Sequence, residues 1–264
     1  MKVIAVNNNK GGVLKTSIVT NLAGVLVEQG NNVLIIDCDN QSNVSISFGI
    51  NPDQLENTLY EVLIENVPAE KAIITGYKSK KGKRIDILPS SDSLIGLDFT
   101  VIGNREAYPK PFEILKDKCS HLIEKYDYVL CDSMPSMALM TGNLFTFADS
   151  VLIPYSPEQY SMRSLVKVLE TIEEFKESFN PSLNVLGVVA TLVNYQTTLH
   201  QEIMQETRKY CLEHDVMMYD TYIPRSIRFA SSVAYNQLPA TLTDKKNNAV
   251  QCYFDLWKEL NANG

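Results

Sequence analysis

The chain reads Asn8-Asn9-Lys10-Gly11-Gly12-Val13-Leu14-Lys15-Thr16-Ser17 between a short apolar run, Val3 to Val6, and a helical pattern. This order of apolar run, loop and helix is the main indication of the fold. In that pattern apolar residues recur on one helix face, at Ile18, Leu22, Val25 and Leu26. Adjacent glycines let successive N–H groups point at an anion, and the start of a helix adds its dipole. Such a loop binds a nucleoside triphosphate: the lysine reaches the β- and γ-phosphates, and the threonine hydroxyl binds Mg²⁺.

Further apolar runs follow along the chain, at 33–36, 85–88, 128–131, 151–153 and 185–192. Runs of this length are typical of strands buried on both faces of a parallel sheet. Amphipathic helical patterns lie between or after them, one from Met162 to Phe179 and one from Val250 to Leu260. The alternation predicts an α/β fold with one doubly wound, mostly parallel sheet and helices on both faces. Because no repeat or Gly/Ser linker interrupts the pattern, we expect a single domain over residues 1–264, without an N-terminal helix-turn-helix domain.

Composition narrows the class of protein. The 264 residues carry a formal charge of −7, with 45% hydrophobic and 21% charged residues, which excludes a disordered chain or a fibre. No apolar run approaches the roughly 18 residues of a membrane span, and the N-terminal run is too short for a secretion signal. We therefore expect a cytoplasmic protein. The acidic balance gives no support to a protein that binds nucleic acid over its whole surface.

The cysteines and histidines do not predict a metal or disulfide site. The five cysteines are odd in number and form no C-x-x-C pair, so free, mostly buried thiols are expected. The three histidines stand in helical stretches without ligand spacing.

Aspartates stand where two of the predicted strands end. Asp37 and Asp39 follow the second apolar run, and Asp132 follows the run 128–131. Ligands of open α/β sheets bind beyond the carboxyl ends of the strands, where a carboxylate can hold Mg²⁺ through water. The alternative is that these aspartates only cap the segments that follow them.

Three segments resemble one family. Lys10-Gly11-Gly12-x-x-Lys15-Thr16 resembles the deviant Walker A motif of the ParA/MinD group of P-loop ATPases, although Leu14 replaces the usual glycine. The stretch 37–43 is similar to that group's Asp-x-Asp-Pro-Gln-Gly-Asn signature, with Asn40 for proline and Ser42 for glycine. The stretch 126–136 resembles its Walker B region, with Met134 for a proline. Further similar segments continue almost to the end of the chain.

The resemblance implies a P-loop fold, the cofactors ATP and Mg²⁺, and a role for each motif residue. Lys10 would reach the partner's phosphates across a nucleotide-sandwich dimer, and Asp39 would position the attacking water. Lys10, Lys15 and Asp39 are thus the candidate catalytic residues, and Thr16, Asp37 and Asp132 the candidate Mg²⁺ residues. The candidate ATP-binding residues are Lys10, Gly11, Gly12, Val13, Leu14, Lys15, Thr16 and Ser17 at the phosphates, with Asn194, Pro224 and Arg225 bordering the adenine.

The function that the resemblance implies is a ParA-like ATPase for plasmid or chromosome segregation, with weak Mg²⁺-dependent ATP hydrolysis. ATP would close a homodimer that binds DNA non-specifically on the nucleoid, and a ParB-like centromere-binding protein would stimulate hydrolysis. One alternative is a MinD-like positioning ATPase at the membrane surface, which requires a basic amphipathic terminal helix. Because the last segment carries only Lys258 against Asp255 and Glu259, we expect no stable membrane association. The other alternative is a nucleotide-binding module in which Leu14 impairs hydrolysis.

Basic residues are few and clustered. The stretch 78–84 holds five basic residues in seven, while the rest of the chain carries 19 basic and 31 acidic residues. This cluster is predicted to form a hairpin or loop, and it is either a solvated turn or a site for nucleic-acid phosphates or an acidic partner. Two more pairs of basic residues in the C-terminal third could cluster in space. The candidate DNA-binding residues are Lys80, Lys81, Lys83, Arg225, Arg228, Lys245 and Lys246.

Overall fold

The strands coincide with the apolar runs of the sequence. The computed structural model describes residues 2–135 and 139–263, so Ser136 of the Walker B-like segment lies outside the described residues. The strands are β1 (Val3–Val6), β2 (Val33–Cys38), β3 (Ile74–Lys78), β4 (Arg84–Leu88), β5 (Tyr128–Ser133), β6 (Ser150–Tyr155), β7 (Asn184–Val193) and β8 (Ile223–Pro224). The sequence patterns predicted all of these except β3 and the two-residue β8.

The strands form one eight-stranded sheet in the order β3-β4-β2-β5-β1-β6-β7-β8. Every neighbouring pair is parallel except β3 and β4, which are antiparallel. The prediction of a doubly wound, mostly parallel sheet is confirmed. Because seven strands share a direction, their carboxyl ends meet at one edge, which we call the carboxyl edge; the opposite one is the amino edge.

Helices cover both faces of the sheet. They are α1 (Lys15–Glu28), α2 (Asn43–Ser47), α3 (Leu59–Ile64), α4 (Ala69–Ala72), α5 (Leu97–Gly103), α6 (Ile114–Cys119), α7 (Leu139–Phe147), α8 (Ser161–Ser178), α9 (Thr198–Glu213), α10 (Ile227–Asn236), α11 (Ala240–Thr243) and α12 (Asn248–Asn263). Helices α1 and α10 to α12 contribute to the core on one face, and α3 to α9 to the core on the other. The two amphipathic patterns of the sequence become α8 and α12.

Helix α1, which begins inside the phosphate loop, is fixed by its packing against α11. The amide of Thr241 donates to Asn21 Oδ1 over 3.1 Å, and the Thr241 hydroxyl donates to the carbonyl of Asn21 over 3.0 Å. A Cβ at Gly24 would collide with the Thr241 hydroxyl, so only glycine allows this approach. The position of the loop therefore depends on the helix behind it.

The basic cluster forms a hairpin, as predicted. Strands β3 and β4 pair Lys78 with Arg84, and Gly82 takes a left-handed conformation with φ +77° in the turn. Since β4 begins at Arg84, the turn lies at the amino edge, at the opposite end of the sheet from the phosphate loop.

Two further sequence predictions concern cysteines and membranes. All five cysteines are free thiols and four of them are buried, as expected. Over residues 2–135 and 139–263, no helix has both the length and the apolar character to cross a bilayer.

Candidate functional site

The phosphate loop connects β1 to α1 at the carboxyl edge. Gly12 and Leu14 take left-handed conformations, with φ of +73° and +65°. Leu14 caps the helix: its carbonyl accepts the N–H of Ile18 over 2.9 Å. Its half-buried side chain packs on the core of the α1 face. The chain thus keeps a glycine-like backbone at the position where leucine replaces the family's glycine.

Lys15 lies inside the curl of this loop. Its ammonium donates to the carbonyl of Asn8 over 3.0 Å and to that of Lys10 over 3.1 Å. The residue is only 7% exposed, and burial lowers the pKa of the amine against the attraction of Asp132 and Asp39. The Lys15 ammonium, largely shielded from water, therefore lies inside the loop that would bind phosphate oxygens.

Thr16 and Asp132 fit a magnesium site. The Thr16 hydroxyl donates to Asp132 Oδ2 over 2.5 Å, while the buried Asp132 Oδ1 has no hydrogen-bond partner within the described residues. Burial is the main cause that raises the pKa of Asp132 to about 7. An unpartnered buried carboxylate oxygen beside a hydroxyl suits a water-bound Mg²⁺, which takes few protein ligands besides the phosphates.

Asp37 shapes the turn that carries Asp39. Its Oδ1 accepts the N–H of Asp39 over 3.1 Å, and its Oδ2 accepts the N–H of Val44 over 3.3 Å. Burial and the nearby Asp132 raise the pKa of Asp37 well above its usual range. Ser42, which replaces a family glycine, takes a left-handed conformation with φ +53°, so this position also has a backbone conformation that favours glycine.

The loop and Asp39 line one cleft of about 530 Å³. Sequence reasoning missed its other wall, since α10 contributes Phe229, Ala230, Val233 and Ala234 and α2 contributes Ile46. The only sequence signal was the position of these helices next to motif segments: α2 directly follows Asp39, and α10 follows Pro224 and Arg225.

Lys10 points away from this cleft. Lys10 is not among the described residues that line the cleft. Its ammonium donates to Glu158 Oε2 over 2.7 Å and to the Ser161 hydroxyl over 3.2 Å. Sequence reasoning also missed these two partners, because they lie about 150 positions along the chain and carry no motif.

The residues expected near adenine are brought together. Strand pairing sets Val193 opposite Pro224, and the amide of Arg225 donates to the carbonyl of Val193 over 3.3 Å. Asn194 follows directly and is exposed. This group stands at the carboxyl edge, beside the phosphate cleft rather than in its lining.

The basic residues expected to bind DNA do not form one patch. Arg225 and Arg228 stand at the carboxyl edge, but Lys245 pairs over 2.5 Å with Glu28 at the far end of α1, roughly 20 Å away by the rise of that helix. In the hairpin, Lys80 and Lys81 are exposed, whereas Lys83 Nζ lies 3.9 Å from Asp127. Lys245 therefore lies away from Arg225 and Arg228, and DNA binding by these basic residues stays a prediction.

Comparison with known proteins supports this picture. A family model described as an AAA domain matches residues 1–185. The chain is 32% identical to a ParA family protein of Mycoplasma pneumoniae, over 98% of this chain and 96% of that one. It is 30% identical to the sporulation initiation inhibitor protein Soj of Bacillus subtilis, over 100% of this chain and 99% of that one.

A solved structure agrees along the whole chain as well. It is a cobyrinic acid a,c-diamide synthase from Mycobacterium smegmatis with a bound ATP analogue and magnesium. The two chains are 27% identical with a TM-score of 0.82, over 99% of this chain and 94% of the other. The similarity therefore extends through both halves of the sheet.

Proposed function

The chain belongs to the ParA family of partitioning ATPases, and on that premise we propose that it binds ATP with Mg²⁺ at the phosphate loop and hydrolyses it. One observation carries the proposal: within the described residues, the buried Lys15 ammonium donates its hydrogen bonds to loop carbonyls, while Thr16 and Asp132 stand beside it. Phosphate oxygens would replace those carbonyls, and the N–H groups of the loop would bind the same anion.

The remaining residues have positioning roles in this proposal. Phosphoryl transfer needs little covalent chemistry from the protein, so catalysis is mainly orientation and charge stabilisation. Asp39, held by the turn around Asp37, orients the attacking water, and Thr16 and Asp132 hold the metal ion. Bound Mg²⁺ supplies positive charge to the phosphates. Lys10 of one protomer reaches the phosphates of the other, and Asn194 and Pro224 border the base.

At the level of the cell, we propose ATP-dependent dimerisation, non-specific DNA binding on the nucleoid and stimulation by a ParB-like partner, in the service of plasmid or chromosome segregation. The MinD-like alternative is disfavoured by α12. The apolar face of α12 is used inside the protein, where Tyr253 and Leu260 are fully buried. Its Lys258 is paired with Asp255 over 2.7 Å. The apolar face that α12 buries in the core is therefore not available to a membrane.

The test uses isothermal titration with ATP and ADP, followed by ATPase assays with Mg²⁺. Lys15→Ala is expected to abolish nucleotide binding, since it removes the cation at the phosphates. Asp39→Ala is expected to bind ATP, lose hydrolysis and accumulate as a dimer. Lys209→Ala, on the exposed side of α9, is the matched control and should match the wild type. Normal hydrolysis by Lys15→Ala would refute the proposed site.

A further inference from the structure

The cation that the proposed dimer needs is held inside its own protomer. Lys10 Nζ makes two contacts around the start of α8, to Oε2 of Glu158, which precedes the helix, at 2.7 Å and to Oγ of Ser161, its first residue, at 3.2 Å. We call these two contacts the Lys10 latch. They use two of the three ammonium protons of Lys10 and direct the side chain towards α8.

The backbone beneath the latch is also tied to α8 and β6. Asn8 Oδ1 accepts the N–H of Lys10 over 2.9 Å and the Ser164 hydroxyl over 2.8 Å. The Asn8 amide donates to the carbonyl of Pro154 over 2.6 Å. Asn8 is buried, whereas the pair of Lys10 and Glu158 is partly exposed, so this pair opens at a lower cost than the anchor beneath it.

We propose that Glu158 is a positioning residue that holds Lys10 in the monomer and must release it before the ATP-bound dimer forms. The proposal rests on the proposed function, because it assigns Lys10 to the partner's phosphates. A lysine bonded to its own α8 cannot extend across an interface, so dimerisation must break one latch in each protomer.

Release does not leave Glu158 without a cation. The bond to Lys10 is the main cause that lowers the pKa of this carboxyl, but the charge of Arg225 acts on it as well. Arg225 is fixed at the end of β8 by its bond to Val193, beside the residues proposed to border the base. Two cations therefore act on Glu158, Lys10 of the phosphate loop and Arg225 beside the residues proposed to border the base.

The expected effect follows from the exposure of the pair. Exposed ion pairs change an equilibrium by about two- to fivefold. Because a symmetric dimer opens two latches, Glu158→Gln should tighten ATP-dependent dimerisation by about four- to twenty-five-fold. The gain should shrink at high salt, since salt screens the wild-type ion pair; a purely structural defect would not produce a tighter dimer.

The experiment measures the dimer dissociation constant by sedimentation with ATP and Mg²⁺, at low and high salt. Glu173→Gln, on the exposed side of α8, is the matched control and should equal the wild type. A double-mutant cycle of Lys10→Ala and Glu158→Gln uses urea unfolding without nucleotide. It measures the coupling free energy between the two side chains in the monomer alone, and we expect coupling there.

The outcomes separate the latch from the proposed function. If the wild type does not dimerise with ATP, the proposed function fails. If the wild type dimerises but Glu158→Gln matches it or dimerises more weakly, the latch is refuted while the function stands. Absence of coupling in the monomer cycle also refutes the latch. Tighter dimerisation that disappears at high salt supports it.

Discussion

At the scale of single residues, two side chains occupy positions where the family pattern has glycine. Leu14 and Ser42 both take left-handed backbone conformations, with φ of +65° and +53°. For a residue with a Cβ this conformation costs about 1–2 kcal/mol. The protein therefore keeps the loop geometry and stores strain next to the phosphate site, which is where such strain is commonly found.

This strain gives a prediction for Leu14. Leu14→Gly should change ATP affinity by less than about threefold, which is about half of the 1.4 kcal/mol that a tenfold change represents, because the backbone already has the glycine conformation. Leu14→Ala is the matched control: it loses the same packing but keeps the strain. Urea unfolding should show Leu14→Gly to be more stable than Leu14→Ala by about 1 kcal/mol. A tenfold or larger gain in affinity for Leu14→Gly in titration calorimetry would instead show that Leu14 impairs nucleotide binding by the loop.

At the scale of elements, the β3–β4 hairpin divides its basic residues into two groups. Arg84 is structural: its Nε lies 2.6 Å from the buried Asp86, which also accepts bonds from Tyr126 and Thr75, each over 2.8 Å. Lys83 is near Asp127. The charge exposed to a partner is therefore concentrated on Lys80 and Lys81 in the turn, with Lys78 beside them.

We predict that these turn lysines contact DNA phosphates. The double variant Lys80→Glu, Lys81→Glu should weaken DNA binding in the presence of ATP. It should also reduce the slope of log affinity against log salt by about 0.9 for each lost phosphate contact. The double variant Lys209→Glu, Lys258→Glu has the same net charge and serves as the control, since both lysines pair along their own helices. An unchanged affinity and slope in filter-binding titrations would show that the turn is merely solvated.

At the scale of the whole molecule, the buried aspartates of the candidate site lower the stability of the fold. Parallel pairing sets Asp37 opposite Asp132 on neighbouring strands, and both are buried. Burial raises the pKa of Asp132 to about 7, whereas an unfolded aspartate ionises near pH 4. Between these values the folded state holds the proton more tightly, so the free energy of unfolding falls as the pH rises.

Asp132→Asn should remove the part of this dependence that Asp132 contributes. Without nucleotide, urea unfolding at pH 5 and pH 8 should show the variant gaining stability over the wild type as the pH rises, by at most about 1.4 kcal/mol per pH unit. The amide still accepts the Thr16 hydroxyl but carries no charge to bury. Asp117→Asn, at an exposed position on α6, should follow the wild type at both pH values. A constant difference between Asp132→Asn and the wild type would contradict the buried-carboxylate explanation.

How far the sequence predicted this protein depends on the range of the interactions concerned. Apolar runs and glycines encode local structure, so six strands, the phosphate loop, the hairpin and the aspartates at the carboxyl edge were predicted. Strand β3 was not, because Ile74–Lys78 carries a glycine and mixed burial instead of a continuous apolar run. Nor was β8, because two residues give no periodicity.

By itself, the sequence determined the parallel sheet, the phosphate-binding loop and the residue types at its edge, because each depends on neighbours within one or two elements. Only the tertiary structure decided that α10 walls the cleft, that the basic residues separate to opposite edges and that Glu158 holds Lys10. Those features join side chains far apart in the chain, and their distances are set by how helices pack on the sheet. No local pattern encodes such a distance, so the partner of the lysine that the family motif identifies became visible only in the fold.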